Sequence, residues 1–139
     1  MKKRILFILA SVVLSIAGFA LAHEDVKNFP SCKYCGMNRE KFAYSRTLVT
    51  YDDGTQFGAC SIHCLAVDLA INIDKTPSSI EVGDYTSQFL IDAEKAFWVI
   101  DGSKPGVMTK QAKWAFANRP AAEAFVKANG GSRCSPDFA

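Results

Sequence analysis

The chain reads YSRTLVTYDDGTQFGACSIHCLAVDLAI over residues 44–71. Residues 44–51 alternate and are rich in β-forming side chains, which predicts a strand. Asp52-Asp53-Gly54 is a hairpin turn signal, and residues 55–59 then predict the returning strand. Apolar residues follow at helical spacing from Ser61, the candidate N-cap, to the end of the stretch. The stretch therefore predicts a β-hairpin followed directly by a helix.

The second half of the chain repeats this order of elements, although it does not repeat the sequence. Further strands are predicted at 80–85, 87–91, 96–100 and 114–117. Arg119–Asn129 predicts a helix, because Pro120 lies in its first turn and Gly130-Gly131 just past its end. The fold class is therefore α+β, with two small strand-pair-plus-helix modules (ββαβ-like) forming one compact unit. The polar segment His23–Ser31 predicts an extended arm, and Lys75–Ser79 predicts a loop.

The N-terminus carries the pattern of an export signal. Lys2, Lys3 and Arg4 precede the apolar run 5–19, and Ala20-Leu21-Ala22 matches a signal-peptidase site. The run is shorter than the roughly 20 residues that span a bilayer. We therefore expect a signal peptide over residues 1–22 and a metal-binding domain over 23–139, exported to the periplasm without stable membrane insertion. The alternative is an uncleaved anchor.

Charge and missing motifs exclude several classes of protein. The 139 residues include 16 Lys and Arg and 14 Asp and Glu. Without the three basic residues of the signal peptide the balance is 13 against 14, so no nucleic-acid partner is expected. A hydrophobic content of 49% argues against a disordered tail. No Ser-His-Asp order, Gly-rich phosphate loop or His-Glu-x-x-His motif is present, and no enzyme is predicted.

Five cysteines are the main clue to function. They are Cys32, Cys35, Cys60, Cys64 and Cys134. Disulfides are the default in an oxidising compartment, but C-x-x-C and C-x-x-x-C close loops too small for much stabilisation. The first four instead form a candidate four-thiolate zinc site, in which His63 offers a nitrogen ligand. The odd number leaves Cys134 as a free thiol or as the link of a dimer.

Methionines next to these cysteines favour a softer metal. Cys32, Cys35 and Met37 lie within six residues around Gly36, and Met108 follows Pro105-Gly106 in a loop. Thiolate and thioether sulfurs select Cu(I), with Zn(II) competing for the thiolates alone. Two loop methionines therefore look like ligands that the fold brings together. The alternative is a disulfide with two methionines that only pack.

These motifs resemble the nitrous oxide reductase accessory protein (NosL) family over about residues 30 to 131. The resemblance is carried by Cys35-Gly36-Met37, the Tyr-Asp-Asp-Gly hairpin, residues 92–100 and Pro105-Gly106-Val107-Met108, and by Phe116, residues 121–125 and Gly130-Gly131. It implies an exported Cu(I)-binding chaperone with two α+β modules, related in fold to organomercurial lyase, that delivers copper to nitrous oxide reductase. It also implies copper ligation by Cys35, Met37 and Met108.

The chain departs from that family in its additional cysteines. Cys60 and Cys64, after an upstream cysteine, look like the small metal-binding module called TRASH. No lipid-attachment cysteine is present, unlike in the best-known members. Three interpretations remain open: a copper chaperone, a zinc- or disulfide-stapled interaction domain, and a thiol oxidoreductase or carbon–mercury lyase. Two observations argue against the last: a thioredoxin-like context is absent, and likeness of fold does not carry function.

Overall fold

A computed structural model describes residues 23–134, and the predicted signal peptide lies outside that range. The helices of this part are α1 (Glu24–Asn28), α2 (Ile62–Ile71) and α3 (Arg119–Asn129). The strands are β1 (Thr47–Tyr51), β2 (Gln56–Ala59), β3 (Pro77–Gly83), β4 (Leu90–Asp92), β5 (Phe97–Ile100), β6 (Lys113–Phe116) and β7 (Ser132–Cys134). Within residues 23–134, no helix has both the length and the apolar character needed to cross a membrane.

Two antiparallel sheets connect their first three strands in the same order, and the first sheet adds a fourth strand. The first has the strand order β2-β1-β3-β4 and the second β6-β5-β7. In each sheet a hairpin is followed by a helix, and the next strand returns to pair with the first strand of the hairpin. The predicted α+β class with two ββαβ-like modules is confirmed.

The first hairpin forms at the predicted turn. Thr50 pairs with Gln56, and the Gly54 amide donates to the Tyr51 carbonyl at 2.9 Å. Gly54 has a φ of +80°, a conformation that glycine adopts without steric cost. The turn residues therefore set the register of β1 and β2.

The loop predicted at residues 75–79 is partly wrong, because β3 already begins at Pro77. Proline has no amide hydrogen to give to a ladder, but it is tolerated as the first residue of a strand. Pro77 pairs with Tyr51 at a point where the register of β1 and β3 shifts. The strand can therefore start one residue before the Ser-Ser pair that reads as loop.

The extended arm predicted for His23–Ser31 is also wrong, because Glu24–Asn28 is the helix α1. The Asp25 carboxylate accepts from the Arg39 side chain at 2.8 Å and from Arg46 Nε at 2.9 Å. Val26 is buried beside it. Tertiary contacts therefore hold a helix that is too short to be stable by itself.

Both modules contribute to one core. Val49 of β1 and Val99 of β5 are fully buried in the same cluster. Tyr85, which follows β3, packs its ring 5.3 Å from Trp114 and 4.9 Å from Phe125 of the second module. The Tyr85 amide donates to the Ala115 carbonyl at 2.8 Å. The modules are therefore joined by side-chain packing and by backbone hydrogen bonds.

Candidate metal centre

A tight loop presents the first two cysteines. The Cys32 amide donates to the Met37 carbonyl at 2.9 Å, and the Gly36 amide donates to the Cys32 carbonyl at 2.7 Å. Gly36 has a φ of +73°, which a side chain would make unfavourable. These bonds close the loop on itself, as expected from the glycine in the sequence.

The second two cysteines lie where β2 passes into α2. Cys60 directly follows β2, Ser61 is the N-cap residue, and Cys64 is in the first turn of the helix. The predicted N-cap position is confirmed, although the Ser61 hydroxyl makes no capping bond to the helix. The Ser45 hydroxyl donates to the Cys60 carbonyl at 2.9 Å and fixes the backbone there.

The four sulfur atoms meet in one cluster. The Sγ atoms of Cys32, Cys35, Cys60 and Cys64 all lie within 4.8 Å of one another. The separation is 3.3 Å between Cys35 and Cys60 and 3.8 Å between Cys60 and Cys64. A zinc–sulfur bond of about 2.3 Å places the sulfurs of a tetrahedral site about 3.8 Å apart. The cluster is therefore close to the dimensions that a metal ion needs, and all five cysteines of the chain are free thiols.

Burial distinguishes Cys35 from the other three. Cys32, Cys60 and Cys64 are 1%, 0% and 2% exposed, whereas Cys35 is partly exposed. Among the sulfurs of the cluster, Cys35 is therefore the one that solvent or another protein can reach.

The three buried thiols of the cluster differ in how readily they ionise. Burial alone would raise the pKa of Cys32, but backbone amides of Cys60, Cys35 and Tyr34 donate to its sulfur and lower the pKa to about 7. Burial, followed by hydrogen bonding to Cys32, raises the pKa of Cys64 to about 12. Burial also raises the pKa of Cys60. Because ligand sulfurs must be deprotonated, a bound cation would have to displace protons from the buried thiols.

The sequence model of the NosL family matches residues 23–137. The chain belongs to the NosL family. A comparison with curated proteins gives no significant match.

A solved structure supports the fold of this NosL-family chain. It is the crystal structure of the copper chaperone NosL from Shewanella denitrificans, with a TM-score of 0.60 and 20% sequence identity. The match covers 78% of this chain and 88% of that chain. At this identity the likeness concerns the fold.

The remaining candidate ligands of this NosL-family chain lie outside the four-sulfur group. His63 is exposed on α2 and is not among the residues that come together. Met37 is partly buried and packs against the core beside the cluster. Met108 is 43% exposed and has a φ of +57°, an uncommon conformation for a residue with a side chain. Ligation by these three residues stays a prediction.

The loop around Met108 nevertheless passes close to the cysteines. Its neighbours Val107 and Thr109 line a small cavity together with Ser61 and Ile62, which follow Cys60 in the chain. Val107 is also buried in the same core cluster as Cys32 and Cys60. The fold therefore brings the Met108 loop to the end of α2 that carries the cysteines.

Sequence reasoning missed a buried polar network next to the cluster. Asp68, on α2, is 1% exposed and accepts from the Tyr34 hydroxyl at 2.7 Å and from the Tyr51 hydroxyl at 2.5 Å. Burial, followed by hydrogen bonding to Asp68, raises the pKa of Tyr34 to about 12, so the phenol remains a donor. One signal was present in the sequence: Asp68 lies three residues after Leu65 and four after Cys64, which places it on the apolar face of a helix.

Proposed function

We propose that this NosL-family protein is a copper chaperone, which binds Cu(I) at the four-cysteine cluster and hands it to a client cuproenzyme. The observation that carries the proposal is the convergence of four sulfur atoms within 4.8 Å, one of them partly exposed. Soft sulfur donors favour Cu(I). Membership of the NosL family and a solved neighbour described as a copper chaperone support the same function.

The proposed ligands are Cys35, Met37 and Met108, with Cys32, Cys60, Cys64 and His63 as further or exchange ligands. Cys35 is the cluster ligand that an incoming group reaches first, because the other three cluster sulfurs are at most 2% exposed and serve as the exchange ligands behind it. An incoming ligand from the client can replace Cys35 first, while the buried sulfurs still hold the ion. Transfer then proceeds without free copper.

The proposal extends to location and partners. The signal-peptide pattern of residues 1–22 supports a periplasmic location, and nitrous oxide reductase is the proposed client there. Transfer of this kind needs no catalytic group, so the protein acts as a carrier and not as an enzyme. Cys134 is exposed on β7 and is the residue through which a dimer would be linked.

A zinc-stapled interaction domain is the second candidate. The buried sulfurs favour it, because structural zinc sites are closed and four-coordinate. The two candidates differ in the metal that the protein retains and in how easily that metal exchanges.

Metal content tests the choice directly. The mature protein, isolated anaerobically from periplasm, is expected to contain Cu(I) with most thiols reduced. Zinc, or two disulfides without metal, would favour the structural candidate. Failure to recover the mature chain from periplasm would contradict the proposed location.

The ligand set is tested by competition for Cu(I) with a chromophoric chelator. The double variant Cys35→Ser with Met108→Leu is expected to lose at least about tenfold in Cu(I) affinity. Loss of a hydrogen-bond partner behind a metal ligand already lowers metal affinity by about that factor, and here two ligands are removed. Cys134→Ser is the matched control and is expected to bind like the wild-type protein. Unchanged affinity in the double variant would contradict these ligands.

A further inference from the structure

The C-x-x-C loop is fastened to α2 by a hydrogen bond that is distinct from the sulfur cluster. Tyr34 lies between Cys32 and Cys35, and its hydroxyl donates to Asp68 Oδ1 at 2.7 Å, across 34 residues of chain. Asp68 is four residues after Cys64, so both lie on the same face of α2. One bond therefore joins the segment that carries two of the sulfurs to the helix that carries a third.

The hydrogen bond between Tyr34 and Asp68 is a strong, charge-assisted one. Oxygen–oxygen distances of 2.5–2.7 Å are typical of a hydroxyl that donates to a carboxylate. Asp68 is almost fully buried, and both its carboxylate oxygens accept from phenols. The Tyr34 ring is itself held in place, because it packs edge-on against Phe57 with centroids 5.3 Å apart. Acceptor and donor are thus both fixed by their surroundings.

We propose that Tyr34 and Asp68 are positioning residues of the metal centre, whose hydrogen bond holds the C-x-x-C loop closed against α2. The inference deepens the proposed function and rests on metal binding at the cluster. On this inference, the hydrogen bond of Tyr34 slows the release of metal from the cluster. Cys35 can leave the ion only if the loop moves, and the bond to Asp68 opposes that movement. Partners behind the ligands commonly change metal affinity by 10- to 100-fold.

Tyr51 provides a matched control within the same network. Its hydroxyl donates to the other oxygen of Asp68, at 2.5 Å. Tyr51 lies on β1, which carries no cysteine, and it is 3% exposed. Tyr51→Phe therefore removes the same chemical group from the same acceptor, but it releases no ligand-bearing loop.

The experiment compares Tyr34→Phe and Tyr51→Phe with the wild-type protein. The anaerobic, reduced proteins are loaded with Cu(I), and transfer to a chromophoric chelator is followed in time. Tyr34→Phe is expected to speed transfer about tenfold, and Tyr51→Phe less than about threefold. Loading with Co(II) gives a second measurement, because the charge-transfer bands of a cobalt thiolate report the ligand geometry. Those bands are expected to weaken or shift only in Tyr34→Phe.

The following outcomes test whether Tyr34 and Asp68 position the metal ligands. Equal transfer rates in the two variants would overturn the inference while leaving the proposed function intact. A wild-type protein whose cluster thiols bind neither metal would overturn both. Asp68→Asn, which keeps an oxygen acceptor for Tyr34, is expected to release metal more slowly than Asp68→Ala. If Asp68→Ala fails to fold, the comparison of the two tyrosine variants still decides.

Discussion

Asp25 holds one negative charge between two buried guanidinium groups. Its carboxylate contacts Arg39 and Arg46, both of which are fully buried. Arg39 also donates to the backbone carbonyls of Phe29, Thr47 and Ala59. The network therefore ties α1 to the hairpin, and removal of the Asp25 carboxylate leaves the buried Arg39 guanidinium without its ion-pair partner.

We expect Asp25→Asn to lower the free energy of unfolding by about 3 kcal/mol at pH 7, because breaking a buried ion pair from one side costs 3–5 kcal/mol. Chemical denaturation monitored by circular dichroism measures the change. Asp101→Asn, at an exposed position, is the control and is expected to change stability by less than about 0.5 kcal/mol. An equal effect of the two substitutions would contradict the role of the network.

Because the Asp25 carboxylate is ionised in the folded protein, we expect the stability of the fold to depend on pH. Burial alone would raise the Asp25 pKa, but hydrogen bonds and charge attraction from Arg46 and Arg39 outweigh it and lower the pKa below 3.8. Because the Asp25 pKa is lower in the folded than in the unfolded protein, the ionised carboxylate stabilises the fold above pH 3.8. This stabilisation is lost as the pH falls through the folded-state pKa. The stability difference between wild type and Asp25→Asn should therefore narrow below pH 3.8. A difference that stays constant there would argue against an ionised Asp25.

Burial also predicts which thiols react. In the folded, reduced apoprotein we expect Cys35 and Cys134 to be alkylated quickly, because the other three thiols are at most 2% exposed. Mass spectrometry of maleimide-treated protein counts the modified sites. Metal loading should protect Cys35, and Cys134→Ser should remove one fast site in either state. Three or more fast sites in the apoprotein would contradict the burial of the cluster.

At the scale of elements, the two longer helices begin differently. The Asn118 side chain accepts from the Ala121 amide at 3.0 Å and caps α3, whereas the Ser61 hydroxyl makes no such bond at α2. We expect Asn118→Ala to destabilise the protein by about 1 kcal/mol. Ser61→Ala is the matched control and should cost less than half as much. Thermal unfolding of the two variants measures this, and a larger loss for Ser61→Ala would contradict it.

Local signals predicted some elements better than others. α3 has the predicted bounds, Arg119–Asn129, because Pro120 and Gly130 mark its two ends. The strand β7 was missed, since its three residues are all exposed and show no alternation. It forms because β5 offers an open edge, where Val99 pairs with Arg133. Short elements of this kind depend on a partner that local sequence does not specify.

For the whole molecule, the extent of the hydrophobic core helps to distinguish the two proposed functions, a copper carrier and a zinc-stapled domain. Buried side chains from both modules, including Val49, Val99, Trp114 and Phe116, pack together around and beyond the cysteines. The fold therefore does not depend on four sulfurs alone. A domain that is stapled only by metal would instead unfold when the metal is removed.

We expect the reduced apoprotein to keep a single cooperative thermal transition, at a lower midpoint than the metal-loaded protein. A ligand that binds only the folded state raises the midpoint by mass action. Circular dichroism melts before and after chelation measure both states. Cys134→Ser, which leaves the cluster intact, should show the same shift as wild type. Loss of secondary structure on chelation would favour the structural zinc site.

Local sequence patterns suffice to predict the α+β class and the two hairpin-plus-helix modules, and they show how the cysteines are spaced. These features depend on local periodicity, turn residues and helix caps, each of which involves only a few neighbouring residues. Three features are visible only in the folded molecule: the four sulfurs meet, Asp25 anchors α1, and Tyr34 reaches Asp68. Local patterns do not predict them, because these contacts join segments that are far apart in the chain. Their distances are set by how β2, α2 and the C-x-x-C loop pack, and not by the spacing of residues within any one of them.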